Sequence, residues 1–579
     1  MSASAEEPSS SSTGSASPEV APPRSNSVSA TFNYLHLDAD KLLTAFGKFG
    51  RYQMVAYVLT SSVQMLFALN MMIMPFITQS AKATCQIPDS AGSLFLPAIN
   101  DSCRVFNTRL NTTASCRSVD GYSYTYAEPK DGSLTTYFDL VCEHDGWADH
   151  ATSIFLIGGM VASPVASQLS DTLGRRPIIL TPLVLAIFSN LLGAFAWNFN
   201  VFLVSRFLSG FATNSFVVSA YTLGTESVSN DFRSFMPIVT SVAWMIGYML
   251  CGVFDLVLTS WRSLYLAVTV PFVCCLVAFM LFAKESPHWL LTNKKDKRVR
   301  KYVTNAMAFN KQSICLMDCR SDDPDDSEGR HTFLALFRPR IFFHVILNGL
   351  VLVVMSGTYW VLSLYSTELS EDRTTGYFLS GFIELPAGVL AAALLVQYGR
   401  KTVSWLALVL TSVFMLGTVY IPLPGSLNII FPLLAKATNS IVWSSQPIII
   451  SEAIPTPIRN VFSGVTSLMG ELGSIGAPYT HRLTAINKDA PAILISILSL
   501  FAAALVTLQQ ETKGKKMPDD FRHFDAGPFF AWLDKRRELK KDKKTKKTGG
   551  GDVEAAKTLS EGVELLEVKR DGTTSASDN

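Results

Sequence analysis

A carboxylate in the middle of a long apolar run is costly to place, so its presence raises the question of what it holds. Glu471 sits inside such a run, in the stretch LMGELGSIGAP from Leu468 to Pro478. Insertion scales put an acidic or basic side chain at mid-helix at roughly 2.5 to 3.5 kcal/mol. The small neighbours Gly470, Gly473 and Ser474 permit close helix approach, and a carboxylate facing a central cavity would attract a quaternary or protonated amine. The competing reading is a buried structural bridge, with Lys436 or Arg482 as the partner.

A second set of charged residues recurs at fixed spacing. Glu226 precedes Arg233 by seven positions in TESVSNDFRS, and Glu452 precedes Arg459 by seven in SEAIPTPIRN. Upstream, LGRRP and YGRKT place Gly174 and Gly399 at an offset of 225, while Glu226 and Glu452 are offset by 226. The chain is therefore two similar halves. Asp171, Arg175 and Arg176 with Glu226 and Arg233, and Arg400 with Glu452 and Arg459, are placed to form charge pairs between helices, able to hold one side shut. Partly shielded pairs of this kind shift a two-state equilibrium by a few kcal/mol at most.

The elements that must carry these residues follow from composition. Of 579 residues, 48% are hydrophobic and 17% charged, too apolar for an ordinary soluble protein. Runs of about 20 apolar residues, enough to cross a hydrocarbon core, recur twelve times between Met54 and Val506, six to a half. The expected fold class is an all-α membrane protein with twelve transmembrane helices in two six-helix pseudo-repeats, the build of secondary transporters. A net charge of +2 gives no global field for nucleic acid.

Basic residues at Arg175, Arg176, Lys294 to Lys301 and Lys535 to Lys547 fall in connections of one parity, which the positive-inside rule places in the cytoplasm with both termini. The loop 79–149 then lies outside. It carries the sequons at Asn100 and Asn111 and the cysteines Cys85, Cys103, Cys116 and Cys142, an even set whose three possible pairings the spacing leaves open. Cys315 and Cys319 lack the further ligands a structural zinc needs, and no metal or cofactor site is expected. The chain divides into a Ser-rich tail expected to be disordered (1–45), a first bundle (46–283), a cytosolic connection (284–339), a second bundle (340–510) and a polybasic, largely disordered tail (511–579).

Several phrases, in order, resemble the organic-ion transporter family of the major facilitator superfamily, closest to its organic cation branch. FGRYQ at Phe49, FDLVCE at Phe138, SDTLGRRP at Ser170, ESPHWLL at Glu285, IELPAG at Ile383 and ETKGKKMP at Glu511 carry the resemblance over roughly residues 46 to 520. His288, Ser167 and Val396 depart from the usual residues. The resemblance implies that Glu471 is the acidic residue of the cation branch, that Tyr359 and Tyr221 line the cavity with Phe67 and Trp360 as further aromatic candidates, and that Glu384 and Lys436 form a charge pair of the second half. Val217 stands where many cation transporters have tryptophan.

The implied function is polyspecific movement of small organic cations across the plasma membrane by alternating access, in a lipid bilayer, with no cofactor. The alternatives are a zwitterion carrier for carnitine-like or betaine-like molecules, with Lys436 on the carboxylate and Glu471 on the ammonium, and a non-transporting receptor. No GxxxxGK[ST], HExxH or GxSxG phrase occurs, so an enzyme is not expected. Self-association through the first loop is conceivable.

Overall fold

The computed structural model describes residues 34–539, except 48–49, 80–82, 88–94, 98–102, 110, 120–121, 128, 230–235, 312–313, 317–318, 320–332, 366–371, 422, 456–457, 516–517, 519–523 and 525–526. Arg233, Asn100 and most of both tails lie outside the described residues.

Among the described residues, twelve helices build the bundle: α1 Arg51–Met72, α2 Trp147–Leu173, α3 Arg175–Ala194, α4 Phe199–Ser227, α5 Met236–Val257, α6 Trp261–Phe282, α7 Pro339–Leu364, α8 Arg373–Phe382 resumed at Glu384–Gln397, α9 Arg400–Tyr420, α10 Ile430–Ala453, α11 Arg459–Gly476 and α12 Ala490–Leu508. Among the described residues, ten helices are long and apolar enough to cross a membrane on composition alone. The exceptions are α10 and α11, which carry Lys436, Asn439, Gln446 and Glu471. Polar side chains at the depth of the site make these two helices poor membrane spans by sequence.

Packing repeats between the halves. In the first half α2 and α3 pack on α4, α1 on α4, α5 and α6, and α3 on α6; the second half reproduces every one of these contacts six helices later. The halves meet along two matching seams, α2 against α11 and α5 against α8. Small residues let these seams close: a Cβ added at Gly381 would strike Met249 and Tyr248 of α5.

Two regions depart from the expectation of an all-α bundle with disordered tails. The loop between α1 and α2 is a small disulfide-bonded β unit, with β1 (Ala83–Gln86) antiparallel to β5 (Ser123–Tyr126), and β2 (Phe95–Pro97), β3 (Arg104–Asn107) and β4 (Thr112–Ser115) in a meander. Cys85 is bonded to Cys116 and Cys103 to Cys142. Asn111 is exposed in the β3–β4 turn at φ 53°, a conformation asparagine tolerates. Cys103→Ser is expected to leave Cys142 as the newly maleimide-reactive thiol of the loop; labelling of Cys116 instead would show a different pairing.

The second departure is the N-terminal tail, expected to be disordered through residue 45. Tyr34–His36 and Ala39–Ala45 are helical, the latter capped by the Asp38 carboxylate. Leu42 and Phe46 are buried with Trp289, Leu290 and Val303 of the connection between halves. Few apolar residues, placed one turn apart, suffice once a partner surface exists; the composition of the whole tail hid them.

Candidate functional site

Where the halves meet, aromatic side chains from both gather. Phe67 of α1 lies 5.4 Å from Trp244 of α5 and 6.2 Å from Trp360 of α7, and the two tryptophan rings are 6.0 Å apart. Tyr359 sets its edge against Trp360 at 5.4 Å and Trp443 of α10 at 5.5 Å. A ring face within about 6 Å of a cation contributes on the order of 0.5 to 2 kcal/mol. Trp244 and Trp443 were not singled out from the sequence, because a lone tryptophan in an apolar run is indistinguishable there from one facing lipid.

Beside Tyr359 lies a buried ionic cluster. Lys436 Nζ is 3.0 Å from Glu384 Oε1, their side chains 1% and 10% exposed. Tyr359 donates its hydroxyl to the same oxygen at 2.8 Å, and Lys436 donates to Ser380 at 2.8 Å. The ammonium also stands 4.6 Å from the ring of Tyr248, which reaches across from α5. A paired lysine with hydroxyl and ring partners is a satisfied buried charge. Glu384 sits at the break in α8, where the helix restarts after Ile383.

Glu471 is placed differently. It is half-buried in α11, flanked by glycines whose backbones abut α7: an added Cβ at Gly470 would meet Leu352 and Ser356, and one at Gly473 the Val353 carbonyl. These contacts set Glu471 level with Leu352 to Gly357 of α7, about one to two turns before Tyr359 and Trp360. Both bridge partners considered for it are engaged elsewhere, Lys436 with Glu384 and Arg482 with Asp149 at 3.3 Å. Among the described residues no cationic side chain pairs with Glu471; its hydrogen-bonding neighbour is Ser474.

Tyr221 is not brought into the aromatic cluster. It is 51% exposed and lines a small cleft with Thr60, Gln64 and Val217. Arg206, by contrast, is wholly buried in α4, donating to the Asn70 carbonyl at 3.0 Å with its guanidinium 4.4 Å over the Phe155 ring. Among the described residues no carboxylate pairs with it.

The charged phrases form two equivalent locks on the side of the molecule that carries the tails. Arg175 bonds Glu226 at 2.9 and 3.0 Å and Asp171 at 2.8 Å; Arg400 bonds Glu452 at 3.1 Å. Each lock lies within one half. Arg459 donates to the Ile454 carbonyl at 3.3 Å. Each lock is completed by a carboxylate beyond the last helix of its half. Glu285 accepts from the Arg175 amide at 2.8 Å and the Arg176 amide at 3.3 Å, capping α3. Glu511 accepts from the Arg400 and Lys401 amides at 2.8 and 3.2 Å, capping α9. An anion at a helix N-terminus faces orphan amides and the positive end of the dipole. Spacing alone could have paired these two residues, since their offset of 226 equals that of Glu226 and Glu452.

Gly174 holds φ 106°, and a Cβ there would stand 2.7 Å from the Glu285 carboxylate. Gly399 also leaves no room beside Glu511, but at φ −73° its backbone is ordinary. Gly174→Ala adds backbone strain of about 1 to 3 kcal/mol to the clash, so it is expected to lower thermal stability in detergent more than Gly399→Ala does. Equal losses would assign the whole effect to the carboxylates.

On the opposite, loop-bearing side the halves are fastened together. Arg482 donates to Asp149 and to the Gly146 carbonyl at 2.6 Å, His150 Nδ1 and Tyr479 hydroxyl are 2.7 Å apart, and Ser153 donates to the Ile475 carbonyl at 2.9 Å. On the second seam Arg373 donates to the Pro75 carbonyl at 2.9 Å and Tyr377 to the Tyr248 carbonyl at 2.9 Å. Above these contacts a cavity of about 1090 Å³ opens under the β unit, lined by Asp145, Asp149, Arg373 and Arg482 among others.

The model for the Major Facilitator Superfamily matches residues 135–478. A Caenorhabditis elegans chain with a provisional transporter name, B0361.11, is 30% identical over 499 residues, 84% of each chain. The human organic cation/carnitine transporter 2 is 28% identical over 525 residues, 83% of this chain and 93% of that one. The Drosophila melanogaster organic cation transporter protein is 26% identical over 516 residues, with the same coverages of 83% and 93%. Among solved structures, the inward-open xylose transporter XylE of E. coli superposes with a TM-score of 0.56 at 16% identity, over 80% of this chain and 98% of that one; this is a likeness of fold alone.

Proposed function

Because this chain belongs to the Major Facilitator Superfamily, and is a multi-pass membrane transporter and not an enzyme, we propose that its cargo is a small organic cation carried across the plasma membrane by alternating access. The observation that carries this reading is the carboxylate of Glu471, which no cationic side chain among the described residues meets, about one to two turns along α7 from an aromatic cluster built from both halves. A quaternary or protonated amine there gains a counter-ion at Glu471 and ring faces from Phe67, Trp360 and Tyr359. Relatives named as organic cation transporters fit this cargo.

The two seams support alternating access. With the loop side fastened and each lock confined to its own half, the tail side is the proposed route of access in this state. In the opposite state the tail-side ends of α2 and α11 approach along their shared seam, bringing Asp171, 66% exposed in its side chain, toward Arg459. The driving force is the membrane potential, since one charge falling through about 100 mV gains roughly 2.3 kcal/mol.

A zwitterionic cargo is favoured by one observation: Lys436 lies in the same cluster, where a substrate carboxylate competes with Glu384 for its ammonium. A relative named for both cations and carnitine fits that reading. Uptake of labelled tetraethylammonium and of carnitine into cells expressing the chain, with a depolarised arm, separates the two. Voltage-sensitive tetraethylammonium uptake supports the cation reading; uptake of carnitine alone overturns it.

A further inference from the structure

Beyond α12 the chain forms one more helix, 527–539, lying on the tail side against the first turns of α7. Phe529 stacks on Phe343 at 5.1 Å and 13°, and Phe530 meets the same ring edge-on at 5.3 Å. Asp534 holds Arg340 at 2.9 Å. Phe530 and Asp534, four residues apart, thus face α7. At 3.6 residues per turn, Trp532 and Leu539 lie on the opposite side, and each is 54% exposed.

That outward face has the chemistry of a membrane surface ligand. A tryptophan and a leucine seven residues apart share it with Lys535 and Arg536, and the Arg536 guanidinium lies 5.1 Å over the Trp532 ring. The sequence KRRELKKDKKTKK from Lys535 to Lys547 holds nine basic and two acidic residues. An indole with an aliphatic side chain suits the acyl boundary, and basic residues beside them suit phosphate headgroups. The helix also lies level with the first turn of α7, where that membrane-length helix begins.

We propose that helix 527–539 is an interfacial anchor that binds anionic phospholipid of the cytosolic leaflet, with Trp532 and Leu539 in the acyl boundary and Lys535 and Arg536 on headgroups. This rests on the reading that both termini are cytosolic. The anchor fastens α7, the helix that brings Tyr359 and Trp360 to the candidate site, so the lipid steadies the second half while the first moves.

The test is hydrogen exchange of residues 527–539 in the full-length protein, in nanodiscs of phosphatidylcholine with and without phosphatidylserine. Each basic residue at an anionic surface is worth on the order of a fivefold preference, so two or more predict exchange slowed about tenfold or more with phosphatidylserine and restored by high salt. The double variant Lys535→Glu, Arg536→Glu abolishes the difference, and Trp532→Ala reduces it; neither changes Phe529, Phe530, Asp534 or Arg537, which pairs with Asp534. Equal exchange in both discs overturns the proposal, as does equal slowing by soluble inositol hexakisphosphate in neutral discs. An epitope after Asn579, read in intact and in permeabilised cells, reports separately on the topology.

Discussion

Glu471→Gln is expected to abolish uptake of a quaternary ammonium, or to raise its KM by roughly 30-fold or more, at matched surface expression. Removing one partner of a desolvated charge pair costs about 2 kcal/mol or more, and every 1.4 kcal/mol is about tenfold. The substitution keeps the shape and the Ser474 contact, so loss of folding is not the expected cause. Because no cationic side chain of the described residues pairs with Glu471, the variant leaves no buried cation orphaned. Its thermal midpoint in detergent is therefore expected to hold or rise, through removal of an uncompensated buried charge. A fall in stability equal to the fall in uptake would make Glu471 a structural residue. The measurement is uptake kinetics and thermal unfolding on the same preparations.

The opposite pattern is expected for Glu384 and Lys436. Lys436 is buried with its charge met by Glu384 at 3.0 Å and by Ser380. Glu384→Gln or Lys436→Met alone leaves a charge without its counter-ion, a loss of about 3 to 5 kcal/mol, visible as poor expression and a lowered thermal midpoint. The double variant Glu384→Gln, Lys436→Met removes both charges and is expected to recover most of that stability, a coupling read directly from the double-mutant cycle. The same cycle read on uptake divides the substrates. If the pair only holds α8 to α10, the double variant still carries tetraethylammonium. If Lys436 receives a substrate carboxylate, carnitine uptake is lost in the double variant while tetraethylammonium uptake survives.

How much of this was legible in the sequence differs from element to element. The halves were, because helical spacing and charge recur at offsets of 225 and 226, and a repeat in sequence forces a repeat in packing. The lock residues Arg175 with Glu226 and Arg400 with Glu452 were therefore readable as pairs. Their confinement to one half was not, since spacing along a chain does not say which neighbour a helix end meets. Glu285 and Glu511 carried the repeat offset but stood outside the apolar runs, where the search for intramembrane charge does not look. The pairing of Lys436 with Glu384 was implied by the family resemblance, whereas the partner of Arg482 depended on α2 meeting α11, a tertiary fact. In the loop, four cysteines fixed that pairing would occur but not which, and short strands with mixed faces left no period strong enough to announce a β unit. The helix Ala39–Ala45 was hidden for the converse reason: its burial is lent by the connection between the halves.

The caps on α3 and α9 also bear on how the chain is made. Each comes from a residue synthesised after the sixth helix of its own half: Glu285 follows α6, and Glu511 follows α12. Thr512 and Lys513 add to the second seal, on Glu452 and on the Val396 and Gln397 carbonyls. During translation the first half thus acquires its cap before α7 leaves the ribosome, and it can mature as a unit while the second is still being threaded into the bilayer. The second half has no such interval, because its cap arrives only with the segment after α12. A stop codon placed between Leu508 and Glu511 would spare every membrane helix, and quality control would still meet a half whose α9 amides have nothing to bind.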